Sequence, residues 1–353
     1  MVSKKKLNYP STRYQGSKRR ILPWLESVFM DLDFNTVLDG FGGTGSVSYL
    51  FKLMGKTVTY NDILKSNHQS GIALIENSNI LLTDEDIEFL FNEDEPSYPG
   101  VVSNNYKDIY FLDDENEQVD RIRHKIESFS RLYSGTELRI KKALAYHIFF
   151  QSCLSKRPFN LFHRKNLILR KRDVKRSFGN KKTWDKPFRE HFESFNKEYS
   201  KYVFCNGKIN KAINKDIFQI RQKFDLVYLD PPYNRKHEPH PQNYADMYHF
   251  LEGIMNYDIW EKNIDSSRTH RPFSLLPNTW NNDVIKNFKT IFSNFSDSII
   301  VISYGNKGKP TINTIVNQLK KYKKEVRTIS KSYSYKLNRN NGKGYREVLI
   351  IGK

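Results

Sequence analysis

The stretch TVLDGFGGTGSVSYLFKLMGKTVTYND, residues 36–62, decides the fold class. It starts with a short apolar strand at 36–38 and passes through a glycine-rich turn at 40–45. Apolar side chains at helical spacing follow, as far as Met54, and a second strand pattern occupies 57–62. Strand, glycine turn, helix and strand in this order predict a βαβ unit, and therefore a parallel sheet.

Further strand patterns lie in the second half of the chain. FDLVYLD at 224–230 and SIIVISY at 298–304 are strongly apolar, and KEVRTIS at 324–330 with REVLIIGK at 346–353 indicates a hairpin. We therefore expect an α/β protein with one Rossmann-like domain.

The segment between these sheet regions has a different character. Residues 120–155 are helical in pattern, and the helix expected before the first strand spans Pro23 to Leu32. We expect a discontinuous domain, residues 1–80 and 205–353, with a large and mostly helical insertion at 81–204.

The composition points to a polyanionic partner. The chain of 353 residues carries 58 Lys and Arg against 39 Asp and Glu, a net charge of +19. Nucleic acid or an anionic membrane surface would suit this excess. The membrane is disfavoured, because the sequence has no run of about 18 apolar residues and its start lacks the apolar core of a signal peptide. With only Cys153 and Cys205, a disulfide framework and a cysteine-rich zinc site are excluded, and a reducing cytosol is expected.

The charge is unevenly distributed. Residues 151–190 hold thirteen Lys or Arg against three acids, with Phe159 and Phe162 among the bases, a mixture suited to phosphate and base contacts. Residues 84–120 hold thirteen acids against Lys107 alone, and we expect them to face solvent, away from a duplex.

Two carboxylates close to the glycine turn indicate which kind of ligand it binds. Asp39 ends the first strand and Asp62 ends the second, a position from which a carboxylate can hold ribose hydroxyls. Asp62 could equally be a helix N-cap or a turn residue. The turn lacks a complete G-x-G-x-x-G pattern, since Ser48 stands where a third spaced glycine would be, so a cofactor without a pyrophosphate fits better than NAD. S-adenosylmethionine is such a cofactor; Asp39 could hold its ammonium group and Lys18 its carboxylate.

The most specific motif is DPPY, Asp230 to Tyr233, after a buried strand. Its two prolines, Pro231 and Pro232, rule out continued helix or sheet and fix a rigid edge. Asp230 and the Pro231 carbonyl can accept hydrogen bonds from an aromatic amino group, while Tyr233 can stack on its ring, as a base turned out of a duplex requires.

These motifs together resemble a known family. YQGSK, DGFGGTG, YND, NKD, DPPY and SYGNKG occur in the order found in Dam-like, alpha-group DNA N6-adenine methyltransferases, over residues 13–72 and 213–353. The resemblance implies a seven-stranded Rossmann-like methyltransferase fold, S-adenosylmethionine as methyl donor and Asp230 to Tyr233 around the target base. The residues implied at the cofactor are Tyr14, Lys18, Asp39, Phe41, Gly43, Thr44, Gly45, Asp62, Asp216, Ile217 and Phe218.

The family places its target-recognition region where this chain has its basic insertion. In place of an FNVPFG-type stretch the sequence reads RPFNLFHRKNLILRKRDVKRSFGNKKTW, so a GATC target is not implied. The residues expected to contact DNA are Arg157, Asn160, Arg164, Lys165, Asn166, Arg170, Arg172, Arg176, Asn180 and Lys181. The loop after Tyr233, NRKHEPHPQN, has the size to move over a bound base. Its His237 and His240 lack companion ligands, and no metal is expected. His147 and His249 lie in apolar helical contexts and are expected in the core or at the surface.

The expected function is site-specific methylation of adenine N6 in duplex DNA, by a restriction-modification enzyme or a solitary methylase. The partners would be double-stranded DNA and a separately encoded endonuclease, with the enzyme a monomer in the bacterial cytosol or nucleoid and not at a membrane. Three alternatives remain open: methylation of RNA adenine, methylation of cytosine N4, and a catalytically silent DNA-binding protein.

Overall fold

A computed structural model describes residues 9–14, 16–93, 98–172, 181–232, 234–235, 244–275, 280, 283–332 and 345–353. The strands are β1 Thr36–Asp39, β2 Thr57–Asn61, β3 Lys211–Ile213, β4 Leu226–Leu229, β5 Asn234–Arg235, β6 Ile299–Gly305, β7 Gly308–Lys309, β8 Val326–Ser332 and β9 Arg346–Gly352. The α-helices are α1 Leu22–Phe29, α2 Ser46–Leu53, α3 Lys65–Gly71, α4 Asp84–Phe91, α5 Val101–Asn105, α6 Asp113–Glu127, α7 Gly135–Ser155, α8 Ile168–Lys171, α9 Lys181–Asp185, α10 Phe188–Tyr199, α11 Tyr244–Met255, α12 Tyr257–Trp260, α13 Val284–Asn294 and α14 Ile312–Leu319. A π-helical turn, Ile72–Glu76, follows α3, and short 3-10 turns include Lys18–Ile21 and Ile217–Gln219.

Seven strands form one sheet in the order β3-β2-β1-β4-β6-β9-β8. The strands from β3 to β6 are parallel, while β9 runs antiparallel to both β6 and β8. The expected α/β class, Rossmann-like sheet and closing hairpin are confirmed. Because β1, β2 and β4 are parallel neighbours, their carboxyl ends meet at one edge, which brings the glycine turn, Asp62 and Asp230 together.

Both faces of this sheet are covered. Along β6, Val301 packs into one core with α1 and α2, while Ile300 and Ile302 point into a second core with α13 and α14. This alternation is the period of two that a strand imposes on its side chains. It explains why the strand sequences are continuous apolar runs.

The helical region is built around aromatic side chains from two stretches of chain. Phe162 stacks on Phe250 of α11 with ring centroids 4.7 Å apart, and the indole N–H of Trp260 in α12 donates to the Tyr106 hydroxyl at 3.0 Å. Residues 244–260, which follow the Asp-Pro-Pro turn, therefore pack with the region predicted as an insertion.

The acidic stretch is only partly at the surface. Asp86 pairs with Lys141 at 2.5 Å, Glu115 pairs with Lys156 at 2.8 Å, and all four side chains are buried. Asp120 is also buried and accepts the backbone N–H groups of α5. The expectation that this stretch faces solvent is wrong for these three acids, because they join the helices of the region.

The helix α7 has 21 residues and is largely buried. His147 lies inside it, 2.8 Å from the Ser70 hydroxyl, and His249 is buried in α11. Both histidines are therefore core residues, one of the two outcomes expected. In the part of the chain that the structure describes, no helix has the length and apolar character needed to cross a membrane.

Candidate active site

The glycine turn after β1 has a backbone path that only glycine can follow. Gly43 and Gly45 have φ values of 52° and 81°, in the left-handed region. A β-carbon on Gly42 would overlap the ring of Tyr60, whose hydroxyl donates to the Gly43 carbonyl at 2.6 Å. The buried Thr44 completes the turn, and its carbonyl accepts from the Tyr9 hydroxyl. The glycine turn at this sheet edge is therefore held in one conformation by the side chains packed beneath it.

Asp62 holds this turn in place. Its carboxylate accepts from the Gly43 N–H at 2.8 Å, from the Leu64 N–H at 2.9 Å and from the Asn67 side-chain amide at 3.2 Å. Burial raises the pKa of Asp62 to about 6, against the opposing effect of these donors. The turn role considered in the sequence analysis is thus present, and the ribose role remains a prediction.

Asp39 is buried with one oxygen satisfied. Its Oδ2 accepts from the Ser48 hydroxyl at 2.7 Å, whereas Oδ1 has no hydrogen-bond partner among the described residues. Burial raises the pKa of Asp39 to about 7, with a smaller contribution from the nearby Asp230 charge. A buried carboxylate oxygen without a donor is costly, and it fits a ligand that brings a cation.

Tyr14 lies beside the turn in a stack of three tyrosines. Its ring lies 4.3 Å from Tyr248 and 6.0 Å from Tyr244, nearly parallel to both. The Tyr14 hydroxyl accepts from the Asn67 amide at 3.2 Å, and the ring lies 3.8 Å from where a β-carbon on Gly43 would stand. The stack connects α11 to the glycine turn.

Asp230 follows β4 and pairs with Lys18. The Lys18 ammonium lies 2.8 Å from Asp230 Oδ1 and 3.3 Å from Oε1 of Glu347 in β9. Two protein carboxylates thus share the Lys18 charge, and the expected contact of Lys18 with a cofactor carboxylate stays a prediction. Pro231 is buried and Pro232 half-buried, while Tyr233 and most of the following loop, residues 236–243 with His237 and His240, lie outside the described residues.

A cluster of aromatic rings includes Phe41 of the glycine turn. The Trp280 ring is 5.3 Å from Phe41, edge to face, and 6.1 Å from Phe218, which it stacks on. Ile217 packs against Gly40 of the glycine turn. Asp216 caps the 3-10 turn Ile217–Gln219 by accepting a hydrogen bond from the Phe218 N–H at 3.0 Å.

Sequence reasoning missed Trp280. Its Nε1 is buried without a hydrogen-bond partner in the described part of the chain. The sequence did contain a signal, since a single tryptophan inside the polar stretch PNTWNND indicates a ring that is buried or binds a ligand.

Two of the arginines expected on DNA are internal, so that prediction is wrong for Arg157 and Arg170. Arg157 is fully buried and donates to the carbonyls of Tyr110, Leu161 and Arg164. Arg170 is 3% exposed and forms a bidentate pair with Glu115 at 2.6 and 2.8 Å. Their positive charges are paired within the helical region and are not available to a phosphate.

The remaining described candidates are accessible to different degrees. Arg164, Lys165, Arg172 and Lys181 are exposed, Lys181 forms an i,i+4 pair with Asp185 at 3.4 Å, and Asn160 is half-buried. Asn166 donates to the Pro158 carbonyl at 3.2 Å. Arg176 and Asn180 lie outside the described residues.

A strained loop stands out in this surface. Phe159 and Asn160 have φ values of 67° and 56°, which are unusual for residues other than glycine, and the Phe159 side chain is 56% exposed. Arg157 supports the loop from below through its bond to the Leu161 carbonyl, and Phe162 N–H donates to the Met247 carbonyl of α11 at 2.9 Å. The loop is therefore tied to the helix that contacts Tyr14.

No group of three or more His, Cys, Asp or Glu side chains that could hold a metal ion occurs within the described ranges.

The sheet order, the glycine turn with its two acids and the Asp-Pro-Pro edge define a methyltransferase of the Rossmann-like class. The chain belongs to the D12 class N6 adenine-specific DNA methyltransferase family, whose model matches residues 14–328. It is a DNA adenine methyltransferase. Among the targets left open by the sequence, the family selects adenine N6 in DNA over RNA adenine and cytosine N4.

Two relatives extend this comparison. The chain is 28% identical over 354 residues to Type II methyltransferase M2.HphI from Haemophilus parahaemolyticus, with 97% of each chain covered. It is 26% identical over 347 residues to modification methylase StsI from Streptococcus sanguinis, covering 88% of this chain and 46% of the relative. This chain thus spans about half the length of the second relative.

Proposed function

We propose that this protein transfers the methyl group of S-adenosylmethionine to N6 of an adenine flipped out of duplex DNA. One observation carries the proposal. Asp39, which has an unpaired buried oxygen, Asp62 on the glycine turn and Asp230 beside Lys18 all stand at the carboxyl ends of three adjacent strands.

The residues present fit S-adenosylmethionine. The unpaired Asp39 oxygen would take its ammonium group, Asp62 its ribose hydroxyls, and the aromatic cluster of Phe41, Phe218 and Trp280 its adenine. The Trp280 N–H, which has no partner in the described part of the chain, would gain one there. When bound, this cofactor supplies an electrophilic methyl group on a positively charged sulfur.

The chain itself orients the target amino group. Asp230 and the Pro231 carbonyl accept hydrogen bonds from the two N–H groups of adenine N6, which directs the nitrogen lone pair toward the methyl group. The rigid prolines keep both acceptors in place. No strong general base is needed, since the nitrogen becomes acidic once methylated and its proton can pass to water. Tyr233 keeps its predicted role of stacking on the base.

The insertion at 81–204 is the proposed target-recognition region, supported by α11 and α12. Its exposed bases, Arg164, Lys165 and Arg172, would contact phosphates or guanine, and Asn160 could read adenine. The two relatives are named as a Type II methyltransferase and a modification methylase. We therefore propose a monomeric modification enzyme in the bacterial cytosol, acting with a separately encoded endonuclease.

Calorimetric titration with S-adenosylmethionine tests the cofactor site. Asp39→Asn should weaken binding about 10- to 100-fold, because a charge-assisted hydrogen bond is lost. Asp230→Asn should keep cofactor binding and lose methyl transfer to DNA. Unchanged binding in Asp39→Asn, or full transfer by Asp230→Asn, would contradict the assignment of the corresponding residue.

A further inference from the structure

A buried network of charges lies directly behind Asp230. Lys18 is 5% exposed and its ammonium group lies between Asp230, which is 21% exposed, and Glu347, which is fully buried. Glu347 is itself held by two hydroxyl groups. Its Oε1 accepts from Ser303 of β6 at 2.7 Å, and its Oε2 accepts from Tyr345 at 3.2 Å. One ammonium is thus shared by two carboxylates, of which Glu347 is fully buried and Asp230 is partly exposed.

The sharing of one ammonium group by two carboxylates affects how well Asp230 can accept hydrogen bonds. An ammonium committed wholly to Asp230 would occupy the lone pairs that the adenine amino group needs, and would compete with the base. An ammonium withdrawn from Asp230 would leave a partly exposed carboxylate with a raised pKa, and once protonated this group is a weaker acceptor and carries an O–H donor. Because Lys18 also pairs with Glu347, its interaction with Asp230 lies between these two extremes.

We infer that Glu347 is a positioning residue for methyl transfer: it shares the Lys18 ammonium with Asp230, and so sets the orientation and the acceptor strength of the Asp230 carboxylate. This inference rests on the proposed role of Asp230 at the target base. Glu347 is fully buried behind Lys18, and it acts on Asp230 through that shared ammonium and through its own negative charge.

The charged and titratable groups around Asp230 determine the direction in which its pKa shifts. Among the described residues, Lys18 comes from the first 3-10 turn, Glu347 from β9, Asp39 from β1 and Tyr228 from β4. Burial raises the pKa of Asp230 to about 6, the Lys18 charge lowers it, and the Glu347 charge raises it. Methyl transfer should therefore fall as the pH drops through about 6, where Asp230 becomes protonated.

The test is the pH profile of kcat/KM for DNA at saturating S-adenosylmethionine. Glu347→Gln should move the acidic limb to lower pH, and Lys18→Met should move it to higher pH, each on the order of one pH unit for a charge removed at this range. Glu347→Gln should also lower kcat several-fold at pH 8, because Lys18 then pairs with Asp230 alone. Asp297→Asn changes the net charge equally at an exposed position, and its limb should stay in place.

Two results would overturn the inference: loss of activity in Glu347→Gln with an unmoved limb, or limbs that shift in the same direction in both variants. The isosteric Glu347→Gln decides the matter alone if Lys18→Met does not fold. Failure of the proposed function is distinguishable. If Asp230 has no role at the target base, Asp230→Asn stays active, and if the reaction itself is wrong, the wild-type protein methylates no DNA.

Discussion

Replacing Arg157 separates a structural role in the insertion from a role in DNA binding. Arg157→Met keeps most of the aliphatic volume but removes four hydrogen bonds to three carbonyls, at donor–acceptor distances of 3.0 to 3.3 Å. It also removes the guanidinium from the Tyr110 and Phe162 rings, whose centroids lie 4.4 and 5.3 Å away.

The magnitude follows from the three carbonyls that lose their donor. The buried Tyr110 carbonyl left without a donor costs about 1–3 kcal/mol, and the part-buried carbonyls of Leu161 and Arg164 cost about 0.5–1.5 kcal/mol each, so the free energy of unfolding should fall by about 2–6 kcal/mol. This is a large part of the roughly 5–15 kcal/mol by which native proteins are stable. Urea denaturation followed by fluorescence measures it.

Arg164→Ala is the matched control, since that side chain is exposed and only its backbone carbonyl contacts Arg157. It should leave the free energy of unfolding unchanged within about 0.5 kcal/mol. It should also reduce the slope of log DNA affinity against log salt concentration by about one, because one phosphate contact is lost. The reasoning would be refuted by an Arg157→Met protein of unchanged stability whose DNA affinity alone had fallen.

Three further predictions concern ligands. Because protonation of Asp39, with its pKa near 7, removes the charge that attracts an ammonium group, S-adenosylmethionine binding should weaken as the pH falls from 8.5 to 5.5. Calorimetry of Asp39→Asn should show weak binding that changes little above pH 7 and falls only near pH 6, where Asp62 becomes protonated; an equally steep dependence above pH 7 would contradict this assignment. Trp280→Phe should lose most of the fluorescence change produced by S-adenosylhomocysteine, while Trp24→Phe keeps it. An undiminished change in Trp280→Phe would show that the Trp280 ring does not contact the ligand. Phe159→Ala should raise the KM for DNA by about tenfold, as expected for a lost base–aromatic contact, with cofactor affinity unchanged. An unaltered KM would show that this exposed ring is not used on DNA.

The sheet and its functional edge were predictable because their signals are local. A glycine turn that needs left-handed backbone at Gly43 and Gly45 is visible in the sequence, as is a strand that ends at two prolines. Parallel neighbours then bring Asp39, Asp62 and Asp230 together without further information.

The roles of individual charges were not predictable, since their partners are distant in sequence. Arg170 has the same basic surroundings as Arg172, yet it pairs with Glu115, 55 residues earlier in the chain. Lys18 finds Asp230 and Glu347 more than 200 residues away. A charge run shows only that cations are concentrated, and folding decides which of them are internal.

The central claim is that Asp230 enables methyl transfer to adenine N6 in DNA. Modified-base sequencing of DNA from cells expressing the protein, beside cells expressing Asp230→Ala, tests it most directly. We predict N6-methyladenine confined to one short sequence motif in the first sample and absent from the second. N6-methyladenine at the same motif in both samples would contradict the role of Asp230, and DNA unmethylated in both, from a folded protein that binds S-adenosylmethionine, would contradict the proposed reaction.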